Sequence, residues 1–177
     1  MKKLMLLSLL SFMFGAALCG CQERMAVPSV HSTLDAPALI SVGDTSYQCQ
    51  IRYINKETAS LTFTSPDSLS GLTVSTAQGS CSYSLGSLLC KKTLPVPENS
   101  AAKKVFDAFR LLSDDALTCQ EQNSDGSYVF YLPDDPRHFK LMTDKDGFPL
   151  LVQNDSIQIT LSSADSADTL QDAEPSA

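Results

Sequence analysis

Residues 47–64 read Tyr-Gln-Cys-Gln-Ile-Arg-Tyr-Ile-Asn-Lys-Glu-Thr-Ala-Ser-Leu-Thr-Phe-Thr. Tyr47, Cys49, Ile51 and Tyr53 alternate with Gln48, Gln50 and Arg52. Beyond the polar Asn55-Lys56-Glu57, Ala59, Leu61 and Phe63 alternate with Ser60, Thr62 and Thr64. In an extended chain successive side chains point to opposite faces, so each segment is a strand with one apolar and one wet face. Two such strands around a short polar turn form a hairpin of an antiparallel sheet.

The pattern continues outward. Ser65-Pro66-Asp67 breaks the strand, Leu72-Thr73-Val74 resumes it, Gln78-Gly79 turns it, and Cys81 to Leu85 follows with Ser82 and Ser84 outward. One helix interrupts the strands. Pro97-Glu98-Asn99-Ser100 offers N-cap candidates. Ala102, Val105, Phe106, Phe109 and Leu112 then fall at helical spacing, with Lys103, Lys104, Asp107 and Arg110 largely opposite. Further strands follow at Leu117–Gln122, Tyr128–Leu132, His138–Thr143, Leu150–Gln153 and Ile157–Leu161, separated by turns such as Asn123-Ser124-Asp125-Gly126 and Asp144-Lys145-Asp146-Gly147. The total is about nine or ten strands. An apolar sheet face must be covered, and the mid-chain helix is the cover. The expected fold class is α+β: a mostly antiparallel, strongly curved sheet, a half-barrel, wrapped around one main helix over residues 36–161.

The flanks differ in character. Residues 22–35 are polar without a period and read as a tether; residues 162–177 are acidic, rich in small residues and read as a disordered tail. Residues 1–20 hold Lys2 and Lys3, then an apolar stretch from Leu4 to Leu18. That stretch is shorter than the ~20 apolar residues of a comfortable membrane span and has the layout of an export signal. It ends in Leu18-Cys19-Gly20-Cys21, which resembles the lipobox of bacterial lipoproteins: aliphatic at −3, small at −1, Cys at +1. The resemblance implies cleavage after Gly20, acylation of the Cys21 thiol, and a mature protein held at the extracytoplasmic face of the cell membrane. Residues 21–35 would then be the lipidated N-terminus and tether.

The order of elements carries a second resemblance. Hairpins, the Ser65-Pro66-Asp67 break followed by Leu69-Ser70-Gly71, one central helix, and a closing run of hairpins to Ile157-Gln158-Ile159 look like the half-barrel superfamily of lipoprotein-localisation factors (LolA/LolB-like). Thr62-Phe63-Thr64-Ser65-Pro66 and Asp146-Gly147-Phe148-Pro149 are similar to short stretches in lipoproteins of this kind from Gram-positive anaerobes. The resemblance spans residues 47–161. The chain has no Trp, and no counterpart of the Arg lid contact of soluble carriers is recognisable. What the resemblance implies is therefore carriage of a lipid or other apolar molecule rather than lipoprotein shuttling in particular.

With Cys19 in the leader and Cys21 acylated, Cys49, Cys81, Cys90 and Cys119 remain. Four cysteines in an exported chain suggest two disulfides. If Leu85-Gly86 is a two-residue hairpin loop, Cys81 faces Cys90 at a non-hydrogen-bonded site, where side chains approach closest. Cys49 and Cys119 then pair by elimination. Buried free thiols are the alternative, since Cys49, Cys81 and Cys119 occupy apolar-facing strand positions.

The net charge of −7 becomes −9 once Lys2 and Lys3 leave with the leader. Such a chain repels phosphate backbones, which argues against a nucleic-acid partner, and it cannot hold an anionic membrane by charge alone. No nucleophile elbow, zincin motif or P-loop is present. There are two histidines, His31 in the tether and His138 at a strand start, and the cysteines lack metal-ligand spacing. Asp144-Lys145-Asp146-Gly147 begins like a calcium loop, but Phe148 and Pro149 follow, so it reads as a hairpin turn. Asp114-Asp115 and Asp134-Asp135 read as turn acids. No metal, cofactor or enzyme activity is expected. The expected function is binding of an apolar ligand between sheet and helix, lined by Tyr53, Phe63, Phe106 and Phe109, although the same residues could simply fill the core. The alternative is an envelope sensor or interaction module without a cavity.

Overall fold

The computed structural model describes residues 27–163 apart from 56–57, 78–79 and 134. The expected leader, Cys21, and the tail from residue 164 lie outside the described residues. The strands are β1 (Leu34–Val42), β2 (Thr45–Asn55), β3 (Thr58–Ser65), β4 (Leu72–Ala77), β5 (Ser80–Leu85), β6 (Leu88–Leu94), β7 (Thr118–Gln122), β8 (Tyr128–Tyr131), β9 (Lys140–Thr143), β10 (Pro149–Asn154) and β11 (Ile157–Leu161). Helix α1 (Ala101–Phe109) lies between β6 and β7 and runs on into a 3-10 turn, Arg110–Ser113. All eleven strands form one antiparallel sheet in the order β6-β5-β4-β3-β2-β1-β11-β10-β9-β8-β7. The sheet is unclosed, with β6 and β7 at its two edges.

The sheet curves around the helix. Ala36 and Ile40 of β1, Ile51 and Tyr53 of β2, Leu61 and Phe63 of β3, Leu141 of β9 and Ile159 of β11 join Val105, Phe106 and Phe109 of α1 in a single core. Alternation along β2 and β3 is realised in register, with Ile51 opposite Leu61 and Tyr53 opposite Ala59. The apolar face of α1 is the expected one: Ala102, Val105, Phe106 and Phe109 are buried, as is Leu112 in the 3-10 turn.

Registers define two rims. Val42 opposite Thr45, Leu85 opposite Leu88 and Asn154 opposite Ile157 lie at the upper rim. Leu34 opposite Tyr53 and Pro149 opposite Thr143 lie at the lower rim. Folded structure begins earlier than the boundary expected at residue 36. β1 starts at Leu34, and the segment before it is docked at the lower rim: the His31 N–H donates to the Gly147 carbonyl at 3.0 Å, and the His31 ring meets Phe148 edge-on at 6.3 Å. Asp144 Oδ1 organises the turn beneath by accepting from Asp146 N at 2.9 Å and Phe148 N at 2.8 Å.

The expected disulfides are corrected. Among the described residues no disulfide joins Cys49, Cys81, Cys90 and Cys119. The β5–β6 loop is Gly86-Ser87 rather than Leu85-Gly86, because Gly86 takes the left-handed φ of 56° that a tight hairpin needs at its first loop position. This moves the register by two: Tyr83 faces Cys90, and Cys81 faces Leu94 across an irregularity. Cys49 sits on β2 and Cys119 on β7, far apart in strand order; their thiols contact the carbonyls of Ala38 and Glu121 instead.

Candidate ligand site

Between the concave face of β2–β5 and the start of α1 lies a cavity of about 370 Å³. Its sheet wall is made by inward positions of the alternating strands: Tyr47, Phe63, Val74 and Tyr83. Leu72 stands at the upper rim, and Ala102 with the backbone before it closes the helix side. The Tyr47 and Phe63 rings meet edge-on at 5.8 Å and 71°, a favourable aromatic arrangement that fixes the wall. The space persists because the helix begins with small residues: Ser100, Ala101 and Ala102 present no bulk to fill it.

Tyr83 is one of two tyrosines in this wall, with Tyr47. Its phenol is pushed up to about 12 by burial first, then by a hydrogen bond with Cys81 and by the charges of Cys81 and Cys90. It therefore stays a neutral hydroxyl through the physiological range and can exchange a hydrogen bond with a ligand.

Of the four expected lining residues, the cavity is lined by Phe63 alone. Tyr53, Phe106 and Phe109 are core. Tyr53 and Phe109 pack at 5.8 Å with a 32° tilt, and the Tyr53 hydroxyl is bonded to the Ser113 hydroxyl at 3.0 Å. Burial raises the Tyr53 phenol, with Ser113 and Arg110 opposing it. Tyr47, Leu72, Val74 and Tyr83 were not singled out as lining residues, although strand alternation already placed Tyr47 on the apolar face. What distinguishes lining from filling is the size of the helix residue opposite, and a strand pattern does not report that.

A larger cleft of about 730 Å³ lies beside the docked N-terminal segment, lined by Pro28, Val30, Leu112, Leu117, Cys119 and Phe130 among others. Ser29, Ser32, Asp114 and Asp115 also face it, so half of its character is polar. The smaller cavity, set between the two main layers and mostly apolar, is the better ligand site despite its size.

Asp114 and Asp135 have structural work. Asp114 Oδ1 accepts from Ala116 N at 3.0 Å. Asp135 is buried and pairs with Arg137 Nε at 2.9 Å. Burial alone would raise the Asp135 carboxyl, but its bonds with Arg137 bring it below the usual carboxylate range. His138 is exposed, with a φ of 51°.

Neither a protein-family model nor a curated protein matches the chain. Among solved structures, a LolA superfamily protein from Nitrosomonas europaea aligns at 9% identity with a TM-score of 0.37, over 77% of this chain and 86% of that one.

Proposed function

We propose that this chain is a non-enzymatic binding module, held at the extracytoplasmic face of a cell membrane through lipid on Cys21, that takes a lipid chain or similar apolar molecule into the cavity between β2–β5 and α1. The observation that carries the proposal is that cavity. Its volume of about 370 Å³ lies in the range of small-molecule sites, roughly 300–1,000 Å³. Phe63, Leu72, Val74 and Ala102 give it apolar walls, and Tyr47, Tyr83, Asn99 and Ser100 bring polar groups to its lining. The lipobox reading of Leu18-Cys19-Gly20-Cys21 supports attachment, and two or more acyl chains on one cysteine anchor a protein stably.

The test uses residues 22–177, which contain every described strand and the helix. The protein is examined by native mass spectrometry after expression and titrated with an environment-sensitive apolar dye. Co-purifying lipid-sized mass and saturable dye binding are expected. Leu72→Trp, which puts bulk at the half-exposed mouth, should weaken the dye by about tenfold, equivalent to ~1.4 kcal/mol. Protein that is always empty and gives no saturable dye signal would refute the cavity as a ligand site.

A further inference from the structure

Among the described residues, large apolar side chains are exposed at scattered single positions, with one exception. At the upper rim Leu85, Leu88 and Leu89 are 49%, 71% and 59% exposed, all on the β5–β6 hairpin. Leu85 and Leu88 are directly opposed, and Leu89 faces Ser84. The alternation of strands therefore makes the tip apolar on both faces of the sheet. Polar turn residues would be expected on a hairpin tip in water, and three leucines there form a patch that solvent does not favour.

The surrounding sequence is equally uneven. In a chain with 20 acidic residues, Ser68 to Pro97 contains no Asp or Glu, and it holds Lys91 and Lys92 directly behind the leucines in β6. The tip also continues the candidate site. Leu72, Leu85 and Leu88 form one row across β4, β5 and β6, immediately above the row Val74, Tyr83 and Cys90. Leu72, Val74 and Tyr83 line the cavity, so the inward apolar face runs without a break from the cavity to the exposed leucines.

We propose that the β5–β6 hairpin inserts its leucine tip into an anionic lipid bilayer surface and brings the mouth of the cavity against that surface. An apolar finger that is flat on neither face suits the acyl–headgroup boundary. Lysines behind it suit anionic headgroups, and the missing acids remove the repulsion that the rest of the chain would provide. The hairpin leaves the rim opposite to the one where His31 docks on Gly147. The surface property is independent of what the cavity holds.

The test is flotation of residues 22–177 with vesicles of phosphatidylcholine alone or mixed with phosphatidylglycerol. Binding is expected to both, and more strongly to the anionic mixture. L88D/L89D changes two exposed side chains and should reduce partitioning to both vesicle types by about tenfold or more, while keeping its circular dichroism and its dye binding. K91Q/K92Q should abolish the preference for the anionic mixture. No flotation of the parent protein, or equal flotation of parent and L88D/L89D, would overturn the proposal. So would a parent dimer in light scattering that L88D/L89D dissolves, since the occupant would then be a second copy. Loss of dye binding with flotation intact would count against the cavity and leave the hairpin assignment standing.

Discussion

Gly147 carries two constraints at once. Its φ of 89° lies in the left-handed region, and the Ser29 carbonyl group occupies the place a Cβ would take. Gly147→Ala would strain the turn and lift the N-terminal segment from it, breaking the His31 N–H bond to the Gly147 carbonyl. We expect a loss of about 2 kcal/mol or more in urea unfolding, together with faster proteolysis ahead of Leu34. Half of this contact is legible in the sequence: Asp146-Gly147 marks a turn, but nothing local announces that residues 28–31 lie on top of it. The β5–β6 hairpin shows the same division. Gly86 signals a turn, yet whether it is the first or second loop residue shifts every facing pair by two, and with it the partner of Cys81. The pairing of Leu85 with Leu88 settles the choice, and sequence alone does not contain it.

At the scale of elements, α1 is the best-announced part of the molecule. Ser100 accepts a hydrogen bond from the Lys103 N–H at 3.2 Å as the N-cap, and Lys103 pairs with Asp107 at 2.6 Å one turn later. Ser100→Ala should cost about 1 kcal/mol in thermal or urea unfolding without altering the folded spectrum, and Ser100→Asp should restore it. β1 is the least announced. Leu34, Ala36, Ala38 and Ile40 are buried while Asp35, Pro37 and Leu39 are exposed, a regular alternation hidden by small alanines and a proline. Proline is tolerated in this central strand for a specific reason. The Pro37 carbonyl accepts from Ser162 N, so its polar groups face the side where β11 has just ended at Leu161. Its missing N–H therefore removes only the reciprocal bond to Ser162, one residue beyond the end of β11.

For the whole molecule, several acids in or beside the core share one direction of shift. Burial raises the Cys49 thiol to about 12, the Tyr83 phenol also reaches about 12, and Tyr53 is raised too. Unfolded, these groups ionise near ~8.5 and ~10. The folded chain therefore holds more protons between those values and about 12, and stability is full at neutral pH and falls as pH climbs above ~9. Urea midpoints measured from neutral to alkaline pH should show this decline, and Cys49→Val should make it shallower. The curved antiparallel sheet, the helix and its buried face were readable because period and spacing encode them. The cavity was not, because it depends on which side chains meet across the two layers.

The join between β1 and β11 sets how such a chain can come into being. β1 to β6 form one meander in strict order, β7 to β11 another, and the two meet where Ala38 to Ser41 pair with Leu161 to Gln158. Each meander grows from neighbours close in sequence, and those contacts form early. The seam between them unites the first strand with the last. Until Leu161 has emerged, a nascent chain has β1 and β10 each showing an unsatisfied backbone track, the situation that invites pairing with the wrong chain. Completion of the domain thus waits for β11: the growing chain stays two unjoined leaves until that strand arrives.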